Sequence, residues 1–258
     1  MDLQIKDLRV VVTAGASGIG LEIARAFVRE EAKVHICDVD RHALAAAANT
    51  DPQISQSVCD VSDRTQVSAL FTEAIEALGG LDCLVNNAGI AGPTGKVEDI
   101  SPEDWDRCLA VDLTGQFNCA RLAIPHLKAS GNASIMNLSS QAGKHGFPLR
   151  SAYGAAKWGV IGFTKSIAIE LGPLGIRVNA LLPGLVRGER IRSVIEAKAR
   201  ENGISFAEQE RNMFRFVSIK DYVTPQQLAD MVVFAASPRA RTISGQAISV
   251  CGDTNMLG

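Results

Sequence analysis

The sequence predicts an α/β fold, a doubly wound parallel sheet with helices on both of its faces. Short apolar runs alternate with longer helical patterns about six times along the chain. The runs are continuous rather than alternating, which is typical of strands that are buried on both sides. The 258 residues contain no linker, repeat or low-complexity tract. Because that length suits one large α/β domain, we expect residues 1–258 to form a single domain.

These runs predict the order of the strands and helices. The candidate strands are, in chain order, RVVVTAG, KVHICD, ISQSVCDV, LDCLVNNAG, SIMNLSS, RVNALLPG and AISVCGD. Between them, apolar residues repeat at helical spacing, as at Val67, Leu70, Phe71 and Ala74. Such spacing predicts helices at 19–30, 63–78, 101–127, 152–171 and 225–235. Right-handed crossovers would distribute the helices over the two faces of the sheet.

One long excursion separates the last two strands. Residues 185–224 carry no strand pattern, and the charged stretch GERIRSVIEAKARENGISFAEQERNMFRF indicates helix. An insert of this length is typical of a substrate lid or another binding element, which is our expectation here. A helical hairpin that is merely solvated is the alternative.

Charge and composition exclude several classes of function. Acidic residues number 28 and basic residues 26, and no run of Lys or Arg offers a surface for nucleic acid or anionic lipid. No apolar run approaches the roughly 20 residues that span a bilayer. The N-terminal stretch MDLQIKDLRVVV lacks the pattern of a signal peptide. We therefore expect a cytoplasmic protein without a membrane or nucleic-acid partner.

The cysteines predict neither a disulfide nor a metal site. There are six, and none forms a CxxC pair. Four of them lie in or beside apolar strand-like runs. This placement favours buried thiols in a reducing compartment over a disulfide framework or a zinc site.

A glycine-rich loop follows the first predicted strand. Gly15, Gly18 and Gly20 have the spacing G-x-x-G-x-G, and a helix is predicted directly behind them. Glycines let the backbone approach a pyrophosphate closely, and the helix N-terminus offers free N–H groups and a positive dipole end. The second strand ends at Asp38, 18 residues after Gly20. A carboxylate there would accept hydrogen bonds from the adenosine ribose and repel a 2′-phosphate, which predicts NAD rather than NADP. For both the glycine loop and Asp38, a purely structural turn is the alternative.

The stretch SAYGAAK contains one of the two tyrosines in the chain. Lys157 follows Tyr153 by one helical turn, so both side chains are expected on the same helix face. Oxidation of a carbinol needs a base for the hydroxyl proton, and a free tyrosine, with a pKa of about 10, is a weak one. A neighbouring ammonium favours the phenolate. Ser140, at the end of the fifth strand, would hydrogen-bond the substrate oxygen. A packed tyrosine beside a solvated lysine is the alternative.

Taken together, these residues resemble the short-chain dehydrogenase/reductase family, and the resemblance extends almost end to end. The residues that carry it are TAGASGIG, CDVSD with Asp60, NNAG at 86–89, Ser140 in NLSSQAG, Tyr153-x-x-x-Lys157 and PGLV at 183–186. The resemblance implies a Rossmann-like domain and assigns catalytic roles to Ser140, Tyr153 and Lys157. It also implies that further residues bind the cofactor together with Tyr153 and Lys157, namely Gly15, Ser17, Gly18, Ile19, Gly20, Asp38, Asp60, Val61, Asn87, Ala88, Gly89, Pro183, Gly184 and Val186.

Three positions depart from the family pattern. Ala14 stands where the family usually has Gly, and we expect a slightly shifted turn there with binding retained. Asp112 stands where the family usually has an Asn that holds a water beside the catalytic lysine. An aspartate accepts the same hydrogen bonds, so we expect Asp112 to belong to the catalytic set and to maintain a working relay. The alternative is that its charge pairs with Lys157 and weakens the influence of that lysine on Tyr153. Gly188 stands where the family has a Thr hydroxyl that fixes the nicotinamide carboxamide.

Four arginines predict an acidic substrate. Arg150 lies three residues before Tyr153, and Arg187, Arg190 and Arg192 begin the insert. A guanidinium binds a carboxylate through two parallel hydrogen bonds, so a sugar acid or another hydroxy or keto acid is expected. The arginine-rich insert also resembles that of relatives that oxidise deoxy-ketosugar acids. The alternative is a set of surface charges balanced by Glu189, Glu196 and Glu201.

The leading hypothesis is therefore an NAD-dependent oxidoreductase that acts on a secondary alcohol or ketone bearing an acidic group. A 3-oxoacyl-thioester reductase is the alternative within the same class, although it would more naturally use NADP. An NAD(H)-sensing protein that has lost turnover is the alternative of another class, because of Asp112 and Gly188. The family resemblance further implies a homotetramer, or a homodimer, assembled through the helices at 101–127 and 152–171.

Overall fold

The predicted fold class is confirmed by the computed structural model, which describes residues 2–257. A seven-stranded sheet has the order β3-β2-β1-β4-β5-β6-β7, and every neighbouring pair of strands is parallel. The strands are β1 (Arg9–Thr13), β2 (Lys33–Asp38), β3 (Ser55–Val58), β4 (Cys83–Asn86), β5 (Ser134–Leu138), β6 (Arg177–Pro183) and β7 (Ala247–Val250). The strand order reverses between β1 and β4, which is where an open α/β sheet forms its binding crevice.

The helices alternate with the strands along the chain. They are α1 (Gly18–Arg29), α2 (Arg41–Thr50), α3 (Arg64–Leu78), α4 (Pro102–Leu109), α5 (Gly115–Leu127), α6 (Ser151–Leu171), α7 (Glu189–Asn202), α8 (Phe206–Phe214) and α9 (Pro225–Ala236). The pattern analysis missed α2, because its buried face consists only of Leu44 and Ala47 and gives little periodic signal. Its N-terminus is capped by the Asp40 carboxylate, which accepts hydrogen bonds from two backbone N–H groups.

The helix predicted at 101–127 is interrupted. Between α4 and α5 the chain forms a π-helical segment, Ala110–Thr114. A single wide turn of this kind commonly marks a functional site, because it changes the direction in which one side chain points. Asp112 lies in the middle of this segment and is fully buried. The interruption therefore contains the residue that is expected beside Lys157.

Two hydrophobic cores lie on opposite faces of the sheet. Along β1, Val10 and Val12 belong to the core that contains α1 and α9, whereas Val11 belongs to the core that contains α3 and α5. All three valines are fully buried. This two-sided burial explains why the strand sequences are continuously apolar.

Arg177, at the start of β6, ties the sheet to the end of α9. The residue is 7% exposed, and its guanidinium donates hydrogen bonds to the carbonyl oxygens of Ala235 and Ala236. The last carbonyls of a helix have no partner within the helix and favour a nearby cation. Arg177 therefore satisfies groups that would otherwise be buried and unpaired.

Replacing Arg177 with Met should lower the free energy of unfolding by about 2–4 kcal/mol, because it leaves buried carbonyls without donors. Urea denaturation followed by circular dichroism measures the loss. The exposed Arg241 lies just beyond the same helix, and Arg241→Met is the matched control, with an expected change below about 0.5 kcal/mol. Equal losses for the two variants would contradict the role assigned to Arg177.

Candidate active site

A cleft of about 640 Å³ lies at the carboxyl ends of the central strands. It begins at the glycine loop after β1, passes the ends of β4 and β5, and continues beneath α7. Most of the site residues expected from the sequence line it. Those are Ser17, Gly18, Ile19, Gly20, Asp38, Asp60, Val61, Asn87, Ala88, Gly89, Ser140, Arg150, Tyr153, Lys157, Pro183, Gly184, Val186, Arg187 and Arg190.

The glycine loop requires glycine for steric reasons. A Cβ atom at Gly20 would lie 2.1 Å from the carbonyl oxygen of Ala14, and one at Gly15 would lie 2.7 Å from the Ile36 side chain. Gly15 does not line the cleft; its N–H donates to the carbonyl of Cys37 and holds the loop against β2. Ala14 has φ of +49°, a left-handed conformation that is strained for alanine and explains the family preference for glycine there.

Side chains from neighbouring strands hold the loop in place. The Asn87 amide donates to the carbonyls of Thr13 and Ala14, each at 3.0 Å. The Thr13 hydroxyl accepts the backbone N–H groups of Asn87 and Ala88 at 3.0 and 2.9 Å. Behind the loop, the Ser17 side chain makes no capping hydrogen bond to α1. The helix N-terminus therefore faces the cleft with donors available, and the shape and the donors together fit a pyrophosphate.

Carboxylates border the same end of the cleft. Asp38 accepts hydrogen bonds from the N–H groups of Ala16 at 3.3 Å and Asp40 at 3.1 Å, which fixes it beside the loop. Asp60 accepts hydrogen bonds from Ser62 and from Arg107, whose Nη2 lies 3.0 Å away. Burial raises the pKa of Asp60, but these hydrogen bonds outweigh it and hold the pKa below its ordinary value.

Tyr153 and Lys157 lie on one face of α6 and both line the cleft. The Lys157 Nζ atom is 5.6 Å from the centroid of the Tyr153 ring. It also donates to the carbonyl of Leu138 at 3.1 Å, which ties α6 to the end of β5.

The two adjacent serines after β5 have different environments. The Ser139 hydroxyl is buried and donates to the carbonyl of Lys157 at 2.8 Å. The Ser140 hydroxyl accepts the N–H of Ala142 at 3.1 Å. A hydroxyl in that arrangement keeps its own proton available to donate into the cleft.

Asp112 forms a buried ion pair with Lys157. Its Oδ2 lies 3.3 Å from Nζ, and the side chains of Lys157 and Asp112 are 4% and 0% exposed. Oδ1 accepts the N–H of Ile90 at 2.6 Å, whereas Oδ2 has no hydrogen-bond partner among the described residues. A Cβ at Gly89 would lie 3.2 Å from Nζ and 3.3 Å from Oδ1. Asp112 therefore acts from behind the cleft and does not line it.

The far end of the cleft is formed after β6. A Cβ atom at Gly184 would lie 2.7 Å from the backbone of Cys251, so only glycine fits beside the β7 end. Val186 pairs with Val223 through an isolated bridge. Gly188 has φ of +152° and precedes α7. This is a conformation that the threonine of the family pattern would rarely adopt.

The four arginines are placed differently. Arg150 is 2% exposed, its Nη2 donates to the carbonyl of Ala91, and its Nε and Nη1 are buried without a hydrogen-bond partner in the described chain. Its Cζ lies 5.0 Å from the centroid of the Tyr153 ring. Burial lowers the pKa of the Arg150 guanidinium, and the Arg190 charge adds to this effect.

The remaining three arginines are exposed. Arg187 lines the cleft and pairs with Asp221 at 3.3 Å. Arg190 lines the cleft, and no carboxylate pairs with it within residues 2–257. Arg192 pairs with Glu196 at 3.0 Å and does not line the cleft, so its expected role in substrate binding does not match its position. It lies too far round α7, because successive side chains of a helix point in different directions.

The sequence pattern did not predict one cation that lines the cleft and one buried cation that packs behind its wall. Arg107 lines the cleft at the Asp60 end. Lys198, on α7, is 1% exposed and its Nζ lies 4.4 Å from the centroid of the Phe147 ring. Burial, helped by the Arg150 charge, lowers the pKa of Lys198 to about 8. No short motif marks these positions, since the fold alone brings α4 and α7 to the cleft.

Across residues 2–257, no three His, Cys, Asp or Glu side chains are grouped so that they could hold a metal ion. Within the same residues, none of the helices combines the length and the apolar character needed to cross a bilayer.

Comparison with known proteins places this geometry in a family. A family model described as Enoyl-(Acyl carrier protein) reductase matches residues 13–253. D-beta-hydroxybutyrate dehydrogenase of Cupriavidus necator is 35% identical over 240 residues, or 91% of this chain and 93% of the relative.

Solved structures agree with this assignment. An actinorhodin polyketide ketoreductase with NADPH has a TM-score of 0.90 at 32% identity and covers 96% of this chain and 97% of its own. NAD⁺-bound xylitol dehydrogenase has a TM-score of 0.92 at 26% identity, with coverages of 96% and 99%. The chain is thus an oxidoreductase with a nicotinamide-binding fold, and it belongs to the short-chain dehydrogenase/reductase family.

Proposed function

We propose that this protein is an NAD-dependent dehydrogenase that acts on a secondary alcohol or ketone carrying an acidic group, such as a sugar acid or another hydroxy or keto acid. The observation that carries the proposal is the position of Tyr153 and Lys157. They lie side by side on α6, in a cleft that also contains Ser140 and the glycine loop. A phenol, an ammonium and a hydroxyl around one cleft are the groups that proton transfer at a carbinol requires.

The chain's own residues divide the proton chemistry among them. A bound nicotinamide would supply the hydride acceptor or donor. Tyr153 takes the hydroxyl proton as the alcohol is oxidised, or returns it as the ketone is reduced. Ser140 donates a hydrogen bond to the substrate oxygen and stabilises the charge that develops there. Lys157, which is held in place by the Leu138 carbonyl, adds positive charge beside the phenol.

The NAD preference rests on Asp38. Its carboxylate lies at the ribose end of the cleft, fixed by two backbone N–H groups. The 2′-phosphate of NADP would meet the like charge of this carboxylate there, which costs binding energy. Arg107, the cation that lines the same end, is already engaged by Asp60 at 3.0 Å. The solved relatives include both NAD⁺-bound and NADPH-bound proteins, so they favour neither cofactor. The support for NAD comes from this chain's own residues.

The acidic substrate rests on Arg190. This guanidinium lines the cleft, is exposed, and pairs with no carboxylate in the described part of the chain. Arg187 is the second candidate, although it is shared with Asp221. A relative named for hydroxybutyrate, which carries a carboxylate, supports the same substrate class. The insert 185–224, which contains α7 and α8, would act as the lid over this substrate.

A 3-oxoacyl-thioester reductase is the second candidate. It is favoured by the description of the matching family model and by the polyketide ketoreductase among the solved relatives. Asp38 opposes it, because such reductases would more naturally use NADP. A sensor without turnover would need no intact set of Ser140, Tyr153 and Lys157, and we therefore rank it last.

Assembly and location complete the proposal. Phe117 on α5 and Trp158 on α6 are 43% and 54% exposed. Exposed aromatic side chains are enriched at protein interfaces, and these two helices are the ones expected to meet in a homotetramer or a homodimer. We propose such an assembly in the cytoplasm.

Tyr153→Phe should lower kcat by at least about 100-fold, because the base is lost, while NAD affinity stays within a few-fold. Absorbance of the reduced cofactor measures turnover with a panel of hydroxy acids and sugar acids, and calorimetry measures NAD binding. Tyr222→Phe is the matched control, since that tyrosine does not line the cleft. A fully active Tyr153→Phe enzyme would exclude the assigned base.

Asp38→Ala should reduce the preference for NAD over NADP by about tenfold or more, because it removes charged hydrogen bonds to the ribose and the repulsion of a 2′-phosphate. Titration with each cofactor gives the ratio of dissociation constants. Asp40→Ala, in the same loop but outside the cleft lining, is the control. An unchanged ratio would rule out the ribose contact.

Arg190→Gln should raise KM for an acidic substrate by about 10-fold to 100-fold, as expected for the loss of a charged hydrogen bond. KM for a neutral secondary alcohol should change little. Arg192→Gln removes the same charge from the same helix but outside the cleft, and it should leave both values unchanged. If both variants raise KM equally for acidic and neutral substrates, the proposed contact between Arg190 and the substrate carboxylate is wrong.

A further inference from the structure

The electrostatic environment of the Tyr153 phenol includes a buried carboxylate as well as the Lys157 ammonium. Lys157, the cation assigned to Tyr153, is itself paired with Asp112 at 3.3 Å, and both side chains are buried. At a few ångströms from such a pair, the fields of the ammonium and the carboxylate act in opposite directions. Because neither charge is screened by solvent, Asp112 removes much of the effect that Lys157 would have alone.

A second cation lies against the same tyrosine. The Arg150 Cζ is 5.0 Å from the Tyr153 ring centroid, closer than the Lys157 Nζ at 5.6 Å. Arg150 forms no ion pair in the described chain, and two of its nitrogens have no hydrogen-bond partner there. It is 2% exposed, and the Asp112 carboxylate acts on it only from beyond ion-pair distance, so its field at the phenol is reduced less than that of Lys157.

We propose that Arg150 is a positioning residue that provides the uncompensated positive charge at Tyr153 and so replaces the part of the Lys157 charge that Asp112 takes up. The inference rests on the proposed role of Tyr153 as the base. It gives Arg150 a different role from the four-arginine substrate site expected from the sequence, because its Nη2 donates to the carbonyl of Ala91 and its Nε and Nη1 are buried.

The other charged and titratable groups around the phenol are few. Arg190 on α7 is exposed and therefore screened by solvent. Lys198 lies on the same helix, against the Phe147 ring. Burial raises the pKa of the Cys108 thiol on α4 to about 11, so it is neutral near neutral pH. The Arg150 charge also helps to lower the pKa of Lys198, so Lys198→Met is introduced into every variant below, and differences among the variants then report Arg150 and Asp112.

Ionisation of Tyr153 can be followed directly in the ligand-free protein by near-ultraviolet absorbance of the phenolate. The chain has two tyrosines, and Tyr222→Phe leaves Tyr153 as the only one. In the unmodified chain, burial and the hydrogen bond to Glu210 raise the pKa of Tyr222.

In the Tyr222→Phe background, Arg150→Gln should raise the midpoint of the phenol titration by about one pH unit, because it removes the charge and keeps a donor for Ala91. Arg150→Lys keeps the charge and should leave the midpoint within about 0.3 of a unit. Asp112→Asn should lower it by about one unit, since Lys157 is then unpaired. In the double variant Arg150→Gln with Asp112→Asn the two shifts should largely cancel.

An unchanged midpoint in Arg150→Gln, or equal shifts in the Gln and Lys variants, would overturn the inference, because a purely structural residue would behave in that way. If Arg150→Gln does not fold, the Asp112→Asn titration still tests the proposal. If the midpoint of the phenol titration does not fall in Asp112→Asn, then Asp112 does not offset the Lys157 charge, and the proposal is refuted. The titration uses neither cofactor nor substrate, so its outcome is independent of turnover. Failure of the proposed reaction would instead appear as an active Tyr153→Phe enzyme.

Discussion

The contact on which the site depends is the anchoring of the Lys157 ammonium at the end of β5. Nζ donates to the Leu138 carbonyl at 3.1 Å and faces the Asp112 carboxylate at 3.3 Å. These two contacts bring together a strand end, the helix that carries Tyr153 and the π-helical segment between α4 and α5. A buried ammonium needs such partners, since an unpaired charge in the interior is costly. Once it is fixed, the phenol one turn earlier on α6 is fixed as well.

The cofactor end is built by a different means. There the backbone carries the function, and side chains serve mainly to hold it. Asn87 and Thr13 pin the loop through hydrogen bonds to its main chain, and Gly20 allows the first turn of α1 to approach Ala14. Such a loop presents N–H donors at little cost in reorganisation when an anion binds, because its own hydrogen bonds are already made.

The arginines illustrate how the same chemical group acquires different roles. Arg190 is exposed at the cleft and free of carboxylates in the described residues, whereas Arg192, two residues later, is held by Glu196 outside it. Arg150 is buried against Tyr153. The sequence gives all of them the same charge, and the direction of each Cα–Cβ bond separates them. The same argument applies to Asp112, whose side chain reaches Lys157 because the π-helical segment redirects it.

The sequence by itself determined the fold class, the seven strands, the glycine loop and the pairing of Tyr153 with Lys157. These features are encoded by local periodicity and short spacing, which need no knowledge of distant contacts. Only the tertiary structure decided that α2 exists as a helix with a small apolar face, that the 101–127 helix is broken, and that Arg107 and Lys198 approach the cleft. It also decided that Arg150 is covered while Arg190 is open. Burial and side-chain direction arise from the packing of elements far apart in the chain, so no local pattern records them.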